Sequence, residues 1–248
     1  MRIVLLGTGG YHPSEERHTA CVFLPEAGVV LDAGTGFFRV APRLQTRELQ
    51  VFLSHAHLDH VLGLTWFQPV FKLGWVDRAS VFAKPDVLEA IQSHLSETPI
   101  FSGRLRFEFV PLPDEVAIAD GGRLTHQELP SHPGGSLAYR IDWPAFSLAY
   151  VTDTIADGSY TEFVRGVDLL VHECNFPDRL AEMANEAHHS YASAVAKLAR
   201  EADVGRLVLV HLDPWLADFY GEMLEAARSL FPDTELGHDL QELDFQPR

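Results

Sequence analysis

The chain of 248 residues carries only two cysteines, Cys21 and Cys174, and no CxxC spacing. That argues against a disulfide-stapled scaffold and against a cysteine zinc knuckle. No run of 18 apolar residues occurs, so no segment reads as a membrane-spanning helix. The opening MRIVLLGTGG has only a short apolar run before glycine, too short for a signal peptide, and a cytoplasmic protein is expected. Basic residues are scarce: 19 Lys and Arg stand against 35 Asp and Glu, a formal net charge of −16. Phosphate contacts dominate nucleic-acid affinity, and no basic block supplies them here, so a long RNA or DNA partner is not expected. A small anion held beside a metal stays compatible with that charge, because local charge decides there. No repeat, low-complexity tract or linker is present, and a single domain over 1–248 is expected.

Short apolar runs punctuated by glycine fill the first third. Residues 2–6, 20–24, 28–32 and 49–53 read as strands, and 35–44 as a short helix broken at Pro42. Residues 60–73 are apolar on nearly every side, as a buried helix or a pocket wall would be. A strand at 79–83 and a proline-started helix at 85–95 follow. Strands resume at 105–110, 123–129, 136–142 and 146–151. The last third alternates strand 168–172, helix 190–202, strand 206–211 and helix 214–230. Two strand-rich halves, each with helices, predict an α/β protein whose two sheets pack face to face beneath helices on both outer faces.

The stretch SHAHLDH (54–60) has no explanation in local propensity. Histidines make up 13 of the 248 residues, so H-x-H-x-D-H would arise by chance about once in 400 such chains. A strand delivers the chain to it. His55 and His57, two apart, project to the same side of extended backbone, and Asp59 and His60 stand where a helix begins. Two of these side chains can face one metal and two a neighbouring one. More ligands are needed at the ends of other strands. His132 sits in a glycine-rich turn, Asp153 ends a strand in YVTDT, and His211 closes the apolar strand LVLVH.

These residues resemble the metallo-β-lactamase-fold hydrolases, in the branch of ribonuclease Z and the cyclic-phosphate phosphodiesterases. The resemblance runs nearly end to end, on LLGTGGYHPS, LDAGTG, SHAHLDH, HPGGSLAYRI, YVTDT, HHS and LVLVHLDPW. It implies a four-layer αββα sandwich. It also implies two divalent metal ions, one held by His55, His57 and His132, the other by Asp59, His60 and His211, with Asp153 bridging. His126 competes for the third place, but His132 has the family's spacing to Tyr139. Thr152 and Ala138 replace common glycines and are expected to narrow the pocket slightly. Two such cations hold a hydroxide near neutral pH and clamp a displacement at phosphorus. The all-nitrogen-and-oxygen donor set suits zinc and leaves manganese or iron open.

Asp59 and His189 are the catalytic candidates. Ser190 reads as the N-cap of a helix from 191, which places His189 just outside a helix N-terminus. The family puts an acid or transition-state-stabilising histidine at that place. Asp32 is expected to hydrogen-bond backbone and ligand histidines from outside the donor set, and Glu173, which closes a strand near the same rim with His172, is a candidate for the same supporting role. Arg17, His18 and Arg140 are weaker candidates for a substrate phosphate. GTGG (7–10) lacks a nucleotide-binding spacing and is expected to turn tightly near the metals. Trp66, Phe67 and Trp75 read as core rather than as a base-stacking platform.

The expected function is a binuclear phosphodiesterase acting on a small, cyclic phosphate ester. Ribonuclease Z inserts an RNA-gripping arm between the third histidine and the bridging aspartate, and here only 21 residues separate His132 from Asp153. A tRNA 3′-processing endonuclease is the alternative. A non-hydrolytic metal-binding or di-iron protein is a third, weakened because that subfamily has glutamate where His57 stands. A secreted β-lactamase does not fit, since cysteine often holds the second metal there. Apolar residues at 66–75 leave a homodimer open.

Overall fold

The computed structural model describes residues 1–244. The first sheet contains β1 (Arg2–Gly7), β2 (Cys21–Leu24), β3 (Val29–Leu31), β4 (Glu48–Phe52), β5 (Arg78–Ala83) and β6 (Glu108–Pro111). The second contains β7 (Glu115–Ile118), β8 (Gly122–Leu129), β9 (Ser136–Trp143), β10 (Phe146–Val151), β11 (Leu169–Glu173), β12 (Arg206–Val210) and β13 (Thr234–Leu236). A last strand, β14 (Gln241–Asp244), returns to the first sheet beside β1. The strand orders are β14-β1-β2-β3-β4-β5-β6 and β13-β12-β11-β10-β9-β8-β7.

Continuous apolar runs form these strands because both faces of each sheet are covered. On β1, Ile3 and Leu5 enter the core between the sheets, while Val4 and Leu6 enter the core under the helices of the first sheet. The inter-sheet core also takes Val22, Leu31 and Phe52 from one side and Tyr139, Tyr150, Val171 and Val208 from the other. Each such side chain, fully removed from water, contributes about 1.5–3 kcal/mol. Helices α1 (Leu58–Val61), α2 (Gln68–Lys72) and α3 (Pro85–Leu95) cover the first sheet. Helices α4 (Thr161–Val164), α6 (Ala192–Glu201) and α7 (Tyr220–Leu230) cover the second, and α5 (Ala181–Glu186) precedes α6. The four-layer αββα sandwich is the observed architecture.

Residues 60–73 are three short helical turns rather than one helix: α1, a 3-10 stretch over Leu62–Phe67, and α2 with Pro69 in its first turn. Phe67 is buried, but Trp66 and Trp75 are 41% and 48% exposed, so these two are not core. The helix expected over 190–202 begins only at Ala192, and a 3-10 segment, Pro214–Phe219, precedes α7. β13 and β14 carry few apolar residues, β7 is only four residues long, and all three lie at sheet edges, so their sequence pattern is weak.

The arrangement that matters for function is at one rim. β3, β4, β5 and β6 run parallel, as do β10, β11, β12 and β13. Their C-terminal ends deliver Asp32, residues 54–60, Asp153, Glu173 and His211 to one place, the usual location of sites in open parallel sheets.

Candidate metal centre

Two groups of donor atoms converge at that rim: His55, His57, His132 and Asp153, and Asp59, His60, Asp153 and His211. In the second group, His60 Nε2 lies 3.4 Å from His211 Nε2, 3.3 Å from Asp59 Oδ2 and 3.2 Å from Asp153 Oδ1. His211 Nε2 lies 3.4 Å from Asp59 Oδ2 and 3.3 Å from Asp153 Oδ1. Four donors placed tetrahedrally 2.0–2.1 Å from a zinc ion would be about 3.3 Å apart. The first group is slightly looser. His132 Nε2 lies 3.2 Å from His57 Nδ1, and Asp153 Oδ2 lies 3.6 and 3.7 Å from His55 Nε2 and His132 Nε2. The two oxygens of Asp153 thus face one group each, the geometry of a bridging carboxylate.

The buried His55 Nε2 has no hydrogen-bond partner in the protein, a costly state unless a cation takes its lone pair. Burial and the neighbouring His60 hold the His55 imidazole well below its usual pKa, which keeps it in the neutral, metal-binding form. Burial pushes the carboxyls of Asp59 and Asp153 up, but the surrounding imidazoles, His60 and His211 foremost, outweigh it and keep both ionised. His60 goes the other way. Burial lowers it, yet Asp153, Asp59 and Asp32 together raise it well above 6.5, so these carboxylates favour positive charge at that place. The cluster is suited to divalent metal ions.

The surrounding hydrogen bonds orient these donors. Asp32, fully buried, accepts from Ser54 N at 2.7 Å, Ser54 Oγ at 2.9 Å, His60 Nδ1 at 2.8 Å and Tyr150 OH at 2.9 Å. Because Ser54 Oγ donates to Asp32, it accepts from His55 Nδ1 at 2.9 Å. Both rings are thereby left with Nε2 free to point into the cluster. Tyr139 OH donates to Leu53 O at 2.6 Å across the sheets and holds the start of the ligand loop. Ser54 and Tyr150 were not foreseen. Ser54 adjoins the histidine motif, whereas nothing in the sequence near Tyr150 marks its reach to Asp32.

His189 sits over both groups, its ring centroid 5.1 Å from that of His132 and 5.4 Å from that of His211. Its Nδ1 donates to Glu173 Oε1 at 2.9 Å. Glu173 is fully buried and also accepts from the backbone N–H groups of Thr154, Asn175 and Ser190. Burial disfavours a charged His189, but the Glu173 carboxylate outweighs it and pushes the imidazole up to about 9. The N-cap expected at Ser190 is not formed: Tyr191 occupies that place, and Ser190 Oγ donates to Thr154 O instead. Glu173, not a helix terminus, sets the charge of His189.

Backbone strain gathers at this rim. Tyr11, Asp32, Asp153, His188 and His211 all have positive φ, a costly conformation for these residues that well-packed surroundings sustain. Gly10 passes so close that a Cβ there would lie 2.5 Å from His211 Nδ1, and its N–H donates to Leu212 O. GTGG thus lies beside the donor groups, but it is not itself a tight turn: Gly7 ends β1, Gly9 bridges Thr19 and Leu212, and the bend begins at Gly10.

Several weaker candidates lie elsewhere. Arg140 is pinned on the outer face of β9 by Asp142, Phe163 O and Arg165 O. Arg17 donates to Thr8 Oγ1 and Gly237 O, and the backbone N–H of His18 donates to Asp239 Oδ2. His172 donates from Nδ1 to Glu173 O and accepts from Tyr160 OH at Nε2, a satisfied core residue facing the outer helices. His126 lies on β8 opposite Tyr139, outside both donor groups. Ala138 packs in the outer core and Thr152 Oγ1 donates to Asp153 Oδ1.

The sequence model of the family described as Beta-lactamase superfamily domain matches residues 28–212. Ribonuclease Z from Synechococcus sp. (strain CC9605) is 28% identical over 319 aligned positions, which cover all of this chain and 99% of that protein. Ribonuclease Z from Methanosarcina acetivorans is 28% identical over 302 positions, with the same coverage. Both alignments are longer than the 248 residues here, so those relatives carry segments without a counterpart in this chain. Among solved structures, the metallo-beta-lactamase fold protein YhfI from Bacillus subtilis superposes with a TM-score of 0.82 at 19% identity, covering 98% of this chain and 99% of that one. The short form of human tRNase Z gives 0.73 at 18%, covering 98% and 99%, and a diphosphatase from the PhnP family 0.72 at 19%, covering 99% and 98%. The chain belongs to the beta-lactamase superfamily domain family and is a hydrolase of the metallo-β-lactamase fold.

Proposed function

We propose that this single-domain chain is a binuclear metal-dependent phosphodiesterase acting on a small phosphate ester. In this reading His55, His57 and His132 hold one divalent ion, Asp59, His60 and His211 the other, and Asp153 both. The nitrogen and oxygen donors suit zinc and also accommodate manganese or iron. Bound there, the two cations supply Lewis-acid stabilisation of a phosphoryl oxygen and a nucleophile at neutral pH.

The chain's own residues do the rest. Asp32 and Ser54 fix the tautomers of His60 and His55, so no donor has to reorient during turnover. Asp59 acts from within the donor cluster. His189, charged by Glu173 through Nδ1, keeps Nε2–H for the leaving oxygen, as a general acid poised over both groups.

The observation that carries the reading is the short path from His132 to Asp153. That segment is a glycine turn and the β9–β10 hairpin, closed by Pro144 and Ala145, with no inserted arm to hold a tRNA. The net charge of −16 points the same way. A second reading, tRNA 3′ processing, is favoured by the end-to-end alignment with proteins named ribonuclease Z. The experiment compares metal-loaded protein on bis(p-nitrophenyl) phosphate, cyclic nucleotides, 1,2-cyclic ribose phosphate and a pre-tRNA. Turnover of the small esters without cleavage of the tRNA upholds the proposal, and site-specific tRNA cleavage replaces it with the second reading.

Among the described residues no helix is long and apolar enough to cross a membrane. A cytoplasmic location belongs to the same reading, since Cys21 and Cys174 are buried free thiols, as a reducing compartment allows. So does pairing of two copies through the exposed Trp66, Leu73 and Trp75.

A further inference from the structure

The sequence reads Trp66, Phe67 and Trp75 as core rather than as a base-stacking platform, and the most exposed aromatic rings at the metal rim are Tyr11 and Trp215. Tyr11 is 81% exposed and Trp215 80%. They flank His12, whose ring meets Tyr11 edge-on at 6.1 Å and Trp215 edge-on at 5.3 Å. Single exposed aromatics are ordinary and need no explanation. This pair is tied to the site by its backbone. The Tyr11 N–H donates to Asp59 Oδ2 at 3.1 Å, the same oxygen that faces His60 and His211. Trp215 lies four residues beyond His211, and its N–H donates to Asp213 Oδ1.

The chain beneath the rings is also constrained. Tyr11 has φ 64°, a conformation that aromatic residues rarely adopt and that persists at ligand clamps. His12 Nδ1 donates to Pro13 O at 2.9 Å, which fixes the middle ring and leaves its buried Nε2 without a partner. Glu15 and Glu16, both exposed on the same loop, make this lip acidic and unsuited to a polyanionic chain. Flat rings beside a phosphoryl site match one kind of substituent: a flat heteroaromatic ring carried on the ester.

We infer that Tyr11 and Trp215 form a stacking subsite for the base of a nucleoside phosphodiester. This rests on the reading of the centre as a phosphodiesterase and names the class of ester. Base–aromatic stacking is sequence-tolerant, so any nucleobase would be accepted.

The test uses the metal-loaded protein and two matched esters, adenosine 3′,5′-cyclic phosphate and 1-O-methylriboside 3′,5′-cyclic phosphate. The base-bearing ester is expected to show about tenfold or more higher kcat/KM. In the double variant Tyr11→Ser, Trp215→Ser that ratio is expected to fall toward one. Independently, adenosine 5′-monophosphate but not ribose 5-phosphate should quench tryptophan fluorescence, and Trp215→Phe should remove the quench. Equal kcat/KM for the two esters, or a ratio that the double variant leaves unchanged, overturns the inference. A change in oligomeric mass with an unchanged ratio overturns it too, and assigns the rings to a contact between copies. Failure of the phosphodiesterase reading looks different, because neither ester is then hydrolysed. In that case the Trp215-dependent quench upholds the subsite, and its absence overturns it.

Discussion

Asp32 and His60 meet at 2.8 Å with neither side chain exposed to water, and the carboxylate holds the imidazole with Nε2 turned toward His211 and Asp153. Asp32 joins no donor group itself, yet through Ser54 it also sets the His55 ring. One buried carboxylate on the first sheet therefore orients a histidine in each of the two groups.

Asp32→Asn keeps the volume and one acceptor but removes the charge that fixes the His60 tautomer. Outer hydrogen-bond partners of metal ligands are typically worth 10–100-fold in metal affinity, so a loss of about that size is expected. Competitive titration against a chromogenic chelator measures it, and wild-type affinity in the variant would refute the orienting role.

His189→Ala should retain both metals by elemental analysis while kcat falls by about 10²–10⁴-fold, the usual contribution of a positioned acid. The pH profile carries the sign. The acid form of His189 is present below its raised pKa of about 9 and lost above it, so the rate should fall as pH rises through that range. Glu173→Gln removes the charge that outweighs burial, and the alkaline limb should move to lower pH.

The same pair is visible in stability. The His189 pKa is raised on folding, so in metal-free protein its contribution is full below about 6.5 and is lost as pH rises through about 9. Thermal melts of chelator-treated wild type should decline across that window, and Glu173→Gln should flatten the decline.

Removing metal should lower the melting temperature. A ligand at 100 times its Kd stabilises the folded state by about 2.7 kcal/mol, roughly 5–10 °C for a chain of this size. Calorimetry with and without chelator checks this. Identical transitions would mean that the two donor groups do not hold ions.

Arg140→Ala should leave kcat unchanged, because its guanidinium is bound to Asp142, Phe163 O and Arg165 O on the outer face. Losing those bonds should cost about 1–3 kcal/mol, read as a lower denaturation midpoint. A large fall in activity at unchanged stability would return Arg140 to the site.

The site was more legible in the sequence than the fold around it. SHAHLDH, His132, Asp153 and His211 could be named because histidine and aspartate have no propensity reason to stand at the ends of apolar strands. Glu173 was expected in a supporting role at the rim, but its pairing with His189 could not be seen. Residues 60–73 were uniformly apolar, and a pattern without period does not distinguish one helix from three short turns. The edge strands β13 and β14 carry too few apolar residues to announce themselves.

The local sequence determined which donor residues could be named, because residue identity and spacing along one strand and turn are short-range properties. Only the tertiary structure decided how they act. The two oxygens of Asp153 face different donor groups, Glu173 accepts from His189, His172 is turned away and Tyr11 is tied to Asp59, all at a rim where two sheets end. Some of the side chains that meet at that rim are more than a hundred positions apart, Asp32 with Tyr150 and Asp59 with His211, where no local pattern reaches.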